Sequence, residues 1–102
     1  MKYNIREISF NSFEENIVLL GSGFNDKFSF ETTWKFPIKY LNRLVNKLYE
    51  EHAGFDFYES LVQDCLEGET HYKCTLPSEF NLCIDNDWLS QQIPQRDYRL
   101  IA

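Results

Sequence analysis

Residues 25–34 read NDKFSFETTW, and the reading of this stretch decides the fold. Phe28, Phe30, Thr32 and Trp34 recur at every second position, with Lys27, Ser29, Glu31 and Thr33 between them. A period of two sends the first set to one side of an extended chain and the second set to the other. The stretch therefore predicts a strand with one buried face, opened by a turn at Asn25–Asp26. Just upstream, IVLLGSGF (17–24) is a short apolar run ending in two glycines, which predicts a buried strand and a bend. The opening MKYNIREISF alternates through Tyr3 and Ile5 and resumes at Ile8 and Phe10, so a strand with an irregularity near Glu7 is expected. NSFEEN (11–16) between them reads as a turn. These segments together predict an antiparallel β-meander.

The period then changes. After Pro37, which suits the first turn of a helix, Ile38, Leu41, Leu44, Val45, Leu48 and His52 recur at three- and four-residue steps with polar residues opposite. That pattern predicts an amphipathic helix of about four turns, stopped at Gly54. Asp56 and Glu59 have the spacing of a capping box in its acidic variant. Phe57, Leu61, Val62 and Cys65 would then stripe a shorter second helix ending at Gly68. Further on, THYKCTL (70–76) and FNLCIDN (80–86) read as strands joined at PSE. DWLSQQ (87–92) reads as a helical turn capped by Asp87 and ended by Pro94, and DYRLIA (97–102) as a strand. The expected fold is one α+β domain over residues 1–102, a mainly antiparallel β-sheet with a helical hairpin packed on one face.

Size and composition narrow the function classes. A chain of 102 residues has the usual length of one hydrophobic core, and nine Phe, six Tyr and two Trp supply large buried areas from few positions. No apolar run approaches the roughly 20 residues that span a bilayer, and the start lacks the apolar stretch of a secretion signal. A cytoplasmic protein with no membrane contact is expected. Three cysteines cannot form a fully paired disulfide framework, which agrees with that compartment.

Metal and catalytic motifs are weak. Cys65, His71, Cys74 and Cys83 are ligand types that zinc prefers, but their spacing has no close CxxC knuckle. Burial as small hydrophobes is the simpler reading of Cys74 and Cys83. A calcium loop starting at Asp85 would place Ser90 where a glycine is required. GSGF (21–24) lacks the lysine of a phosphate loop and the third glycine of a dinucleotide fingerprint. Neither His52 nor His71 stands in a recognisable nucleophile motif. No metal, no cofactor and no catalysis are expected; a small enzyme is the third reading, to be tested by a pocket gathering His71, a cysteine and a carboxylate.

Charge is the remaining signal. The net charge is −6, which argues against broad nucleic-acid binding. From Leu48 to Gln95 ten acids face one base, Lys73, whereas the other 54 residues carry six acids and nine bases. The acids are interleaved with Phe55, Phe57, Tyr58, Tyr72, Phe80 and Trp88, and tyrosine or tryptophan ringed by charge is the composition of a binding hot spot. The expected function is a stoichiometric inhibitor or immunity protein that neutralises a basic enzyme, a nuclease toxin first. Asp56, Glu59, Asp64, Glu67 and Glu69 are its candidate charge partners, and Tyr58, Tyr72 and Trp88 its candidate anchors. The alternative is a non-catalytic adaptor or oligomerising accessory domain. The preference for a basic partner requires that these acids converge on one solvent-facing zone.

Overall fold

The computed structural model describes residues 2–24, 27–80 and 82–101. Three long strands come first: β1 (Lys2–Asn11), β2 (Asn16–Phe24) and β3 (Ser29–Pro37). A 3-10 turn (Ile38–Tyr40) leads into α1 (Leu41–Glu51), followed by β4 (Val62–Leu66), β5 (Glu69–Thr75), β6 (Leu82–Asp85), α2 (Asn86–Gln92) and β7 (Arg99–Ile101). All seven strands join one sheet in the order β4-β5-β1-β2-β3-β7, with β6 also on β1, and every pairing is antiparallel. The meander is as expected, and so is the α+β class with helices on one face. The turn pair at Asn25–Asp26 lies outside the described residues, as do Met1, Asn81 and Ala102.

The irregularity expected near Glu7 is a β-bulge. Ile5 pairs with Gly21 and Glu7 with Leu20, so Arg6 is the extra residue on β1. A bulge turns two successive side chains to one side, which restores the inward phase at Ile8 and Phe10. The outer edge of β1 changes partner at the same place. Its first half pairs with β6 (Lys2↔Asp85 to Ile5↔Leu82) and its second half with β5 (Glu7↔Thr75 to Asn11↔His71). Between them the Arg6 carbonyl accepts from the Leu76 N–H at 2.7 Å.

The inward set of the sheet includes Tyr3, Ile5, Ile8, Ile17, Leu19, Trp34, Phe36, Cys74, Leu82 and Ile84, all buried. Leu44 and Leu48 from α1 and Leu89 from α2 close the core over it. Each fully buried leucine contributes about 1.5–3 kcal/mol. The opposite face has no helix and stays half-exposed. There the Arg6 guanidinium forks onto the Glu31 carboxylate, with Nη1 to Oε1 at 2.9 Å. That hydrogen bond, the first cause, and the positive charge hold the Glu31 carboxyl below its ordinary value. A depressed acid stabilises the fold above its unfolded value and loses that contribution as pH falls through the folded one. Glu31→Gln should therefore flatten the acid-side loss of stability, checked by urea unfolding between neutral pH and the carboxylate range; an unchanged pH slope overturns the assignment.

One expected element moves. Residues 57–67 do not form a second helix. A single turn spans 57–60, and Val62–Leu66 is a strand closing a hairpin with β5. Glu67 and Gly68 both have positive φ, 52° and 82°, as the tight two-residue hairpin loop requires. The second helix is α2 instead, and its cap is Asp85, whose carboxylate accepts from the Trp88 N–H at 2.8 Å, rather than Asp87.

Candidate docking groove

The chain leaving α1 folds back along that helix, and the two enclose a groove of about 430 Å³. Val45, Asn46 and Tyr49 form one wall, and Phe55 to Tyr58 form the other. Asp56 fixes the second wall by capping the turn. Its Oδ1 accepts from the Glu59 N–H at 3.1 Å, and its carbonyl accepts from the Ser60 hydroxyl at 2.9 Å. This is the capping pair read from the sequence, serving one turn rather than a helix. Phe57 is buried beneath, with its ring edge-on to Tyr58 at 5.4 Å. The Tyr58 hydroxyl donates to Asn42 Oδ1 at 3.3 Å, tying the return segment to the start of α1.

Two tyrosines therefore stand in the open on a fixed frame: Tyr49 is 60% exposed and Tyr58 56%. None of the residues lining the groove is basic. Glu50 and Glu59, next in sequence to the two tyrosines, are exposed and pair with no base among the described residues. The bases of the preceding helical segment are engaged elsewhere. Lys39 and Arg43 sit over the Tyr40 ring, with Arg43 donating to the Gln92 carbonyl at 2.7 Å. Lys47 pairs with Glu51 at 3.1 Å and lies over Trp88 at 5.1 Å. The cations of α1 thus belong to the flank that meets α2, and Glu50 lies among them. The flank facing the return segment carries Val45, Asn46 and Tyr49, so the carboxylates beside the groove are Asp56 and Glu59 of the return segment.

The eight candidate residues fall into three places. Asp56 and Tyr58 line the groove, and Glu59 follows them in the same turn. Asp64, Glu67 and Glu69 gather on the β4–β5 hairpin at one edge of the sheet. Asp64 lies opposite His71 on the helix-free face, and the Glu69 carboxylate accepts from Asn11 Nδ2 at 3.1 Å. Tyr72 is on the other face of that hairpin, opposite Gln63, with its ring stacked on Phe10 at 4.9 Å. Trp88 is half-buried on α2 under the Lys47 ammonium. Of the ten acids between Leu48 and Gln95, only Glu51 pairs with a base among the described residues; Lys73, the one base of that stretch, pairs with Glu7 at 3.4 Å. Tyr49 was missed in the sequence, although it follows Val45 by four residues and so borders the apolar stripe of the helix.

Cys74 is buried, Cys83 is half-buried and Cys65 is exposed. Burial pushes the Cys74 thiol above its ordinary value and keeps it protonated. Among the described residues, no three histidine, cysteine or acidic side chains come together as metal ligands. No helix among the described residues is long and apolar enough to cross a membrane. No protein-family model, no curated protein and no solved structure matches the chain.

Proposed function

We propose that the protein is a non-catalytic, stoichiometric inhibitor that docks on a basic enzyme, a nuclease toxin in an immunity role, through the Tyr49–Tyr58 groove and the carboxylates beside it. The acids do not converge on one zone as the sequence reading required, so the reading rests on a local pairing: two exposed tyrosines on a fixed frame beside Asp56 and Glu59, which pair with no base among the described residues. Rigid aromatic anchors cost little conformational entropy on binding, and carboxylates beside them answer the lysines and arginines with which a nuclease cleft holds phosphates. Acids on the separate β4–β5 hairpin enlarge the anionic field that steers such a partner into encounter.

The direct test takes the product of the adjacent reading frame, purified and assayed for nuclease activity. One equivalent of this protein should abolish that activity; a product that is not basic, or not inhibited, overturns the reading. The Glu59→Lys, Asp64→Lys double variant, which spares the Asp56 cap, should then associate about tenfold or more slowly at low salt, with the difference shrinking as ionic strength rises. An apolar adaptor contact would show association rates indifferent to salt.

A further inference from the structure

The opposite edge of the sheet breaks a rule of strand pairing. Lys35 on β3 and Arg99 on β7 are direct cross-strand partners, so two cations stand side by side on one face. Like charges directly opposite one another destabilise the pair. Arg96, from the 3-10 turn Gln95–Asp97, lines the same cleft of about 380 Å³, together with Asn16, Asp97 and Tyr98. The one acid present is already committed. Asp97 accepts from the Tyr40 hydroxyl, pairs with Lys39 at 3.9 Å and with Arg96 Nε at 3.8 Å, and is mostly buried. Neither Lys35 nor Arg99 has an ion pair among the described residues. Four bases thus stand around a single acid on a chain whose net charge is −6.

We propose that the cleft between β3, the Gln95–Asp97 turn and β7 binds a multiply charged oxyanion, a phosphate or pyrophosphate group carried by a small ligand. The bases come from three separate elements around one cleft, and the arginines offer forked donors to phosphate oxygens. The bound anion would relieve the repulsion between Lys35 and Arg99. A long polyanion is disfavoured, because the few bases here answer only one or two phosphates and the rest of the chain is acidic. The site is separate from the tyrosine groove and stands whether or not the inhibitor reading does.

Thermal unfolding of the full chain tests it, with pyrophosphate compared against sodium chloride at equal ionic strength. Pyrophosphate at ten times its Kd should raise Tm by roughly 5–10 °C beyond the chloride control. Lys35→Gln should unfold no earlier than the wild type without anion, since it removes the repulsion, yet should lose the pyrophosphate shift. Arg99→Gln should lose it too; where that variant folds poorly, Lys35→Gln decides. A wild-type shift no larger than chloride gives, or an equal shift in Lys35→Gln, overturns the site. Citrate matching pyrophosphate overturns the phosphate assignment.

Discussion

Gly21→Ala is expected to remove at least about 3 kcal/mol of stability, a large share of the roughly 5–15 kcal/mol that holds a domain of this size together. Gly21 pairs with Ile5 beside the bulge, and a Cβ built there would lie 2.1 Å from the Asn4 carbonyl oxygen. The obstacle is backbone, and that backbone is held on its far side by the Asn4↔Cys83 pairing with β6. β1 cannot retreat without breaking a second set of hydrogen bonds. Gly23→Ala provides the internal comparison. Its Cβ would meet the tip of the Phe30 ring at 2.5 Å, and a side chain can swing aside. Urea unfolding followed by circular dichroism should therefore rank Gly21→Ala well below Gly23→Ala. Equal midpoints for the two variants would show that β1 and β2 do not approach so closely.

The second large effect is expected on binding. Tyr49→Ala and Tyr58→Ala should each weaken the complex with the basic partner by about 30-fold or more, the level of a hot-spot residue, and mainly by faster dissociation. Tyr49→Ala should stay within roughly 0.5 kcal/mol of wild-type stability, whereas Tyr58→Ala, which loses the hydrogen bond to Asn42 and the edge contact with Phe57, should cost about 1 kcal/mol. Tyr58→Phe keeps the ring and loses only the hydrogen bond to Asn42, so it should fall between wild type and alanine. If the double alanine variant holds its partner with unchanged affinity, the groove is not the interface. The charge reversal at Glu59 and Asp64 reads the rate of arrival and the tyrosine variants the rate of departure, so the two series separate steering from anchoring.

Much of the sheet was legible because one face of each long strand is buried. Phe30, Thr32 and Trp34 alternate as read, whereas Phe28, grouped with them, precedes β3 and is exposed; the slip from Ile5 to Ile8 marked the bulge. Residues 62–66 misled because β4 is an edge strand. All its described side chains are exposed, so nothing forces a period of two. The spacing of Phe57, Leu61, Val62 and Cys65 then imitated a helical stripe. The usable signal was Glu67–Gly68, a two-residue loop ending in glycine with residues of a strand pattern on its far side. The candidate site was half legible: Asp56, Tyr58 and Glu59 lie close in sequence and stay close in space. Density of acids along the chain did not mean one location, because the pairing of β5 with β1 carries the β4–β5 hairpin, with Asp64, Glu67 and Glu69, to the edge of the sheet and away from the groove. The basic cleft had no local signature at all. Lys35 and Arg99 are neighbours only because β7 pairs with β3.

The divided outer edge of β1 has a consequence for how the chain matures. While it emerges from the ribosome, β1, β2 and β3 can pair as soon as they are made, because each contact is with the next segment. The other side of β1 must wait for Glu69–Thr75 and then for Leu82–Asp85. For most of synthesis the central strand carries an unsatisfied row of amides and carbonyls, the kind of template on which nascent chains stick to one another. Arrival of Leu82–Asp85 should thus be the step that makes the growing polypeptide safe from aggregation, and truncation before Leu82 should lower soluble yield.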